Sequence, residues 1–147
     1  MVALPDAEVG YVQRSPSQLE YRVGFRKLTS AVAIDFQRQA KICVSKVERV
    51  GNVNSFRLVS DVYRAIHRWM PASETQQMRF GKLISPFYYY DLRPLDRIYW
   101  SLPSHGTVAT VFLGDGCVFL PLNMANHDHF ISMAELFEVG KVESARR

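Results

Sequence analysis

The 147-residue chain has little cysteine and none of the common catalytic or phosphate-binding motifs. It contains no GxGxxG, GxxxxGK[ST], GxSxG or HExxH pattern, so neither a nucleotide-phosphate loop, a hydrolase nucleophile elbow nor a zinc-binding helix is indicated. The two cysteines, Cys43 and Cys117, lie outside any CxxC spacing, which indicates buried thiols in a reducing compartment. No apolar run approaches the roughly 20 residues of a spanning helix. With no signal-peptide or myristoylation pattern at its start, we expect any membrane contact to be peripheral.

Two sets of side chains come nearest to a metal or catalytic site. Residues 127–129 read His-Asp-His, but adjacent histidines at a helix start point to different sides, which favours a capping role over a metal site. Cys117 with His105 or His127 is the remaining nucleophile–base candidate, and Cys117 falls in an apolar strand, where a thiol is usually inert. We therefore predict no metal, no cofactor and no enzymatic activity.

The charge of the chain is unevenly distributed along its length. The net charge is +4, but residues 1–90 carry 13 Lys/Arg against 7 Asp/Glu, whereas residues 91–147 carry 5 against 7. A basic half suits a phosphate-bearing partner such as nucleic acid or anionic lipid, and a solvated basic surface is the alternative. The hydrophobic content of 48% is sufficient for one core.

The clearest helix signal is the stretch SDVYRAIHRWM at residues 60–70. Ser60 is a favourable N-cap, Asp61 suits the positive end of the helix dipole, and Pro71 cannot continue the hydrogen-bond ladder. The apolar side chains recur on one face at helical spacing: Val62, Ala65, Ile66 and Trp69. We predict that this helix packs on a sheet with Ser60 as its cap and Trp69 as its buried anchor.

Alternating apolar residues predict three strands before this helix. They begin at Leu19, run from Val32 to Phe36, and resume at Ile42 after a polar turn at residues 37–39. After the helix we predict an exposed polar segment at residues 72–82, in which Met78 and Phe80 are conspicuous apolar residues.

The second half of the chain predicts further strands and one more helix. An aromatic strand is predicted at residues 83–92, where the interrupting proline indicates an edge strand or a bulged one, and another strand is predicted at residues 97–102. A hairpin spans residues 106–122 and turns at residues 114–116. The last helix opens at Asn126 or Asp128 and stops at Gly140, leaving a frayed tail. The fold class is therefore α+β, an antiparallel β-sheet core with two packed α-helices and an extended N-terminal arm.

The arm comprises residues 1–18 and precedes a single globular domain at residues 19–147. It contains two prolines together with apolar residues that suit a contact with another subunit. We predict that Tyr11 and Pro16 insert into a groove on the next subunit, and a tail without a partner is the alternative.

Basic residues on polar faces form the candidate contact surface for membrane or nucleic acid. We place Arg22, Arg26, Lys27, Lys46 and Arg49 on neighbouring strands, with Arg79 and Lys82 as a second segment. The aromatic run at residues 87–90 is a further stacking candidate, but strand alternation favours a sheet edge with alternate rings in the core.

Four stretches occur in the order that we associate with rhabdovirus matrix proteins of the vesiculovirus type. They are PSQLEY at residues 16–21, RLVSDVYRAIHRW at residues 57–69, GKLISPFYYYDL at residues 81–92, and the segment from Gly106-Thr107-Val108 to Asp128-His129-Phe130. No single stretch is specific, and the resemblance consists in their common order across residues 16–143. The PPxY and PSAP budding motifs of that family are absent from the sequence.

The resemblance implies a non-enzymatic viral matrix protein that polymerises with itself. Such a protein bridges the viral nucleocapsid to the anionic inner face of the host membrane during assembly and budding. It would reside in the virion, in the host cytoplasm, at the host membrane and in the host nucleus. The alternative is a small basic regulatory protein of a virus, a silencing or movement factor, whose basic sheet face binds RNA.

Overall fold

The computed structural model describes residues 30–47, 54–84, 91–122 and 129–147. Across these ranges the elements in chain order are α1 (Ala31–Val47), α2 (Ser55–Ala65), α3 (Glu74–Arg79), β1 (Leu83–Ile84), β2 (Arg97–Leu102), β3 (Gly106–Gly114), β4 (Cys117–Phe119), β5 (Phe130–Ser132), α4 (Met133–Val139) and β6 (Lys141–Arg146). The strands form one antiparallel sheet in the order β1-β6-β2-β3-β4-β5. The predicted α+β class is confirmed, with four helices in the described ranges where two were predicted. The predicted arm at residues 1–18 lies outside them.

Each face of the sheet has its own apolar core. On one face, Tyr99, Val111 and Phe119 pack against buried residues of α1 and α2. On the other, Trp100 and Val118 pack with residues of β5 and α4. Side chains of a strand alternate between the two faces, and the central strands β2 and β3 are buried on both, so the sheet lies between two layers of apolar packing.

The predicted hairpin and the strand before it are confirmed. β2 pairs with β3 over its whole length, and β3 pairs with β4 around a turn at Asp115 and Gly116, both with positive φ. β1 lies at one end of the described strand order, which agrees with the predicted edge position, while residues 85–90 of the predicted aromatic strand lie outside the described residues.

The second and third predicted strands are wrong, because residues 31–47 form the single helix α1. Its buried residues are Ala33, Phe36, Ala40 and Val44, a spacing of three and four that belongs to a helix. Ile34 and Ile42, which alternation had placed in a core, are 36% and 44% exposed. The predicted polar turn at residues 37–39 lies in the middle of α1, where Gln and Arg are good helix formers.

The predicted helix at residues 60–70 is displaced. α2 begins at Ser55, and Asn54 is its cap, since Asn54 Oδ1 accepts from the backbone N–H groups of Phe56 and Arg57 at 3.0 and 3.2 Å. Ser60 is therefore not the cap: it lies in the middle of α2, fully buried, and its hydroxyl donates to the Met70 carbonyl at 2.6 Å. The helix ends four residues before Trp69, which is 64% exposed and is not a buried anchor.

Three further predictions about the later segments need correction. The exposed segment at residues 72–82 contains the short helix α3, which Ser73 caps. α4 begins at Met133. Ser132 and Glu135 form a capping box at its N-terminus, and this reciprocal pair of hydrogen bonds stabilises the first turn of the helix. The predicted start at Asn126 or Asp128 is wrong, whereas the stop at Gly140 is confirmed. The predicted frayed tail is strand β6, which lies between β1 and β2.

Candidate functional site

Of the predicted contact cations, the structure describes Lys46, Arg79 and Lys82. Arg22, Arg26, Lys27 and Arg49 lie outside the described residues, as do Tyr11 and Pro16. Lys46 is exposed, but it belongs to the last turn of α1 and not to a strand. Arg79 and Lys82 are exposed on either side of Phe80 and Gly81, between α3 and β1. The candidate surface is therefore the second predicted segment.

Around Arg79 and Lys82, exposed apolar side chains meet exposed cations. Trp69 and Phe80 are in edge-to-face contact, with ring centroids 5.0 Å apart. Leu83 follows Phe80 by three residues, and Arg146 is its partner across the β1–β6 pair. We name this surface the aromatic corner, and its members are Trp69, Arg79, Phe80, Lys82, Leu83 and Arg146.

The backbone that follows the C-terminus of α2 directs Trp69 toward solvent. His67 has a φ of +64°, and the Arg68 N–H donates to the Tyr63 carbonyl at 2.8 Å, which closes the helix with a left-handed residue. Met70 then turns inward and is 4% exposed, where its carbonyl accepts from Ser60. Trp69 is held at the surface because its neighbour is anchored in the core.

A buried polar network fixes α3 and Phe80 on the sheet. Arg97 is 1% exposed and its guanidinium donates to the Gln77 carbonyl at 2.8 Å, the Tyr99 hydroxyl at 2.9 Å and the Phe80 carbonyl at 2.5 Å. Its charge also lies 5.6 Å from the centre of the Phe80 ring. Gln77 is fully buried and donates through Nε2 to the carbonyls of Phe56 and Pro71. The Arg97 guanidinium therefore lies at the C-terminus of α3, where the negative end of the helix dipole favours a cation.

The end of the chain is held beside this network by an ion pair. Arg147 binds Asp96 through two nitrogen–oxygen contacts of 2.8 and 3.0 Å, and the Asp96 side chain is 2% exposed. The backbone N–H of Lys82 donates to the Arg147 carbonyl at 3.0 Å, and the backbone N–H of Arg147 donates to the Lys82 carbonyl at 2.8 Å. β1, and with it Leu83 of the aromatic corner, is thus positioned by the last residues of the chain.

The electrostatics of the aromatic corner are positive. Within the described residues, the side chains of Arg79 and Lys82 form no ion pair or hydrogen bond. Asp96, a buried carboxylate in this region, is bound to Arg147. Burial raises the pKa of Tyr99 to about 12 although the Arg97 charge opposes this shift, so the phenol contributes no negative charge at neutral pH.

The aromatic corner combines large exposed apolar side chains with cations that have no ion-pair partner in the described structure. A Trp 64% exposed and a Leu 57% exposed lie beside cations that no carboxylate neutralises in the described structure. Exposed apolar side chains rimmed by charge are typical of an interaction surface. Sequence reasoning singled out Phe80, Arg79 and Lys82 but missed Leu83 and Arg146, because their position depends on β6, which was interpreted as a tail.

The candidate catalytic pair is separated by the hairpin. Cys117 is buried in β4 beside the turn, whereas His105 precedes β3 at the other end of this nine-residue strand. A strand of that length spans about 27 Å, far beyond hydrogen-bond reach. His127 lies outside the described residues. For Cys43, burial raises the pKa of the thiol, aided by Asp61, which disfavours a reactive thiolate.

Neither a metal site nor a membrane-spanning helix is found in the part of the chain that the structure describes. No group of three or more His, Cys, Asp or Glu side chains is placed to hold a metal ion among those residues. No helix within the described ranges is both long and apolar enough to cross a membrane.

Comparison with known proteins finds a similarity of fold to a solved structure but no sequence match. No family model and no curated protein matches the sequence. Among solved structures, the fold is similar to that of NlpC2 from Trichomonas vaginalis, with a TM-score of 0.56 and 16% sequence identity over 87% of this chain and 50% of that one. The chain therefore matches about half the length of that protein. A likeness at this identity establishes a shared α+β fold and carries no activity or site residue with it.

Proposed function

We propose that the chain is a non-enzymatic protein that binds an anionic membrane surface peripherally through the aromatic corner. The observation that carries the proposal is the joint exposure of Trp69 and Leu83 beside Arg79 and Lys82, whose side chains have no partner among the described residues. Trp inserts favourably at the level of lipid headgroups, and aliphatic side chains enter the acyl boundary below them. Each nearby Lys or Arg adds about 1 kcal/mol on an anionic leaflet.

Leu83 favours a membrane over single-stranded RNA as the partner. RNA is the second candidate because an exposed indole among cations suits base stacking. An aliphatic side chain offers no ring for stacking, however, and the Trp69 ring is in edge contact with Phe80. A surface that combines Leu83 with an aromatic pair is better matched to the headgroup region of a bilayer.

The finer proposal is the matrix role implied by the resemblance. In that role the protein polymerises, binds the viral nucleocapsid and carries it to the inner face of the host membrane. The contact arm with Tyr11 and Pro16 and the cations Arg22, Arg26, Lys27, Lys46 and Arg49 remain predictions of this proposal. Light scattering after the salt is lowered tests it: a matrix protein forms reversible polymers, whereas a defined small oligomer that binds RNA would favour the regulatory-protein alternative.

Sedimentation with lipid vesicles tests the membrane proposal. Vesicles with about 30 mol% phosphatidylserine should retain the protein, and neutral vesicles should not. Replacing Arg79 and Lys82 with Gln should weaken binding about thirtyfold, since two cations contribute about 2 kcal/mol. Leu83→Ser should weaken it about tenfold.

The matched control variants lie outside the aromatic corner. Val139→Ser removes another exposed apolar side chain, on α4, and Lys141→Gln removes a cation at the far end of β6. Both should bind vesicles as the unaltered chain does. Equal losses for Leu83→Ser and Val139→Ser would contradict the proposal, and RNA binding that is lost with Trp69→Ala but insensitive to Leu83→Ser would favour the second candidate.

A further inference from the structure

Strands β2 and β6 bring two arginines directly opposite each other. Arg97 and Arg146 are register partners, and Leu83 is the partner of Arg146 on its other side. Residues directly opposite on neighbouring strands share a face of the sheet, and like charges in that position repel. The row Leu83–Arg146–Arg97 therefore leads from the exposed aromatic corner to a buried guanidinium, with two positive charges side by side.

Neither arginine has a carboxylate partner in the described structure. Arg97 is held by two carbonyls and a hydroxyl, which accept its protons without neutralising its charge. Arg146 donates through Nη1 to the Gly81 carbonyl at 3.0 Å. The nearby carboxylate, Asp96, is bound to Arg147. The pair thus concentrates positive charge at a point where an anion is favoured.

Arg146 also has an unfilled hydrogen-bond donor. Its Nε is shielded from solvent and has no acceptor among the described residues, whereas buried polar groups are satisfied in nearly all cases. The side chain itself is partly exposed, so an outward rotation presents Nε and a terminal nitrogen together. These two nitrogens form the fork that binds two oxygens of a carboxylate or phosphate.

The backbone at Gly81 lies in contact with both guanidinium groups. Gly81 has a φ of +89°, and a Cβ there would lie 2.8 Å from Arg97 Nη2 and 2.4 Å from the Arg147 carbonyl oxygen. Only a glycine lets the chain pass so close to Arg97. The segment that carries the exposed Lys82 therefore lies directly over the arginine pair.

We propose that Arg146, supported by the charge of Arg97, is a phosphate-binding subsite of the aromatic corner that takes a phosphate monoester. A second positive charge behind the fork favours a dianion over the monoanionic phosphodiester or carboxylate groups of ordinary anionic lipids. The inference rests on the proposed membrane function for its lipid source, since the same group occurs in soluble phosphate compounds. Arg146 binds the phosphate oxygens, and Arg97 acts through its charge as a positioning residue.

Two vesicle preparations of equal surface charge test the lipid source. One contains phosphatidylserine, and the other contains a phosphoinositide with a monoester phosphate. We expect the unaltered chain to prefer the second about tenfold, a difference of about 1.4 kcal/mol. Arg146→Lys keeps the charge but removes the fork, so it should reduce the preference to within about twofold. Arg64→Lys, at an exposed site on α2, is the matched control and should keep the preference.

Titration with inorganic phosphate separates the inference from the proposed function. The NMR signal of the Arg146 Nε–H group should shift on titration, and sodium chloride at equal ionic strength should not reproduce the shift. If no vesicle retains the protein but this shift occurs, the membrane proposal is wrong and the site takes soluble phosphate. A preference that survives in Arg146→Lys, an equal affinity for both vesicles in the unaltered chain, or an unmoved Nε–H signal would overturn the inference.

Discussion

The two tryptophans of the chain lie in opposite environments. Trp100, in the centre of β2, is fully buried, donates through Nε1 to Thr110 Oγ1 at 3.0 Å, and meets the Phe137 ring at 5.0 Å between centroids. Trp69 is 64% exposed and, among the described residues, has one aromatic neighbour, Phe80. The same residue type therefore stabilises the fold in one region and forms a surface in the other.

The difference comes from the secondary structure around each ring. Trp100 lies on a strand between two neighbours, β3 and β6, so its side chain must enter one of the two apolar layers. Trp69 follows a helix that has already ended, in a segment whose direction is set by Met70 and Ser60. Outside a helix or strand, no regular backbone geometry requires a large apolar side chain to be buried in the core.

The largest expected effect is on the buried ring. Trp100→Ala should lower the free energy of unfolding by about 3–5 kcal/mol, because it leaves a cavity in the centre of the sheet. Urea denaturation followed by circular dichroism measures the loss. Trp100→Phe is the control and should cost less, since it keeps most of the volume. A loss under about 1 kcal/mol for Trp100→Ala would contradict the two-layer core.

The buried polar network predicts a loss of stability at high pH. Burial raises the pKa of Tyr99 from 10 to about 12, with Arg97 opposing the shift. Below pH 10 both folded and unfolded chains carry the neutral phenol, and the stabilisation is complete. Between pH 10 and 12 the unfolded chain loses the proton first, so stability falls by about 1.4 kcal/mol per pH unit.

Urea denaturation between pH 9 and pH 11.5 measures this dependence. Burial also raises the pKa of Tyr63, so the Tyr99→Phe variant should keep the part of the slope that belongs to Tyr63. A slope that is unchanged in Tyr99→Phe would mean that the Tyr99 phenol is not shielded from solvent in the folded chain.

The smallest expected effect on stability is at the exposed ring. Trp69→Ala should lower the free energy of unfolding by about 1 kcal/mol, because in the described structure it removes a ring contact with Phe80 and the burial of a minor part of the Trp69 side chain. Thermal unfolding compared with Trp100→Ala checks the contrast. Equal losses for the two variants would mean that Trp69 is covered in solution, by a second copy of the chain or by residues outside the described ranges.

Parts of the fold with local signals were predictable from the sequence. β2, β3 and β4 have alternating or continuous apolar residues and a turn with glycines, and each was predicted close to its true position. In α1 the local signal was ambiguous, because Val32, Ile34 and Phe36 fit alternation over five residues while the helical spacing appears only over seventeen. A longer window favours the helix.

The candidate site was only partly accessible to sequence reasoning. Arg79 and Lys82 were predicted as contact residues and are exposed, and Phe80 was conspicuous in a polar segment. Arg146 was assigned to a tail, because three of the six residues of β6 are charged and its two apolar residues, Val142 and Ala145, do not alternate. Its role depends on pairing with β1 and β2, across sequence separations that no local pattern records.

The sequence by itself determined the α+β class, the central hairpin and the excess of positive charge before residue 91, because these follow from composition and short-range periodicity. Only the tertiary structure decided which tryptophan is buried, which residue caps α2, and that Arg97 and Arg146 face each other. Those outcomes depend on strand order and on hydrogen bonds between distant segments, such as Ser60 to Met70 and Arg97 to Phe80. Long-range pairing places the last strand beside the first and brings the aromatic corner together.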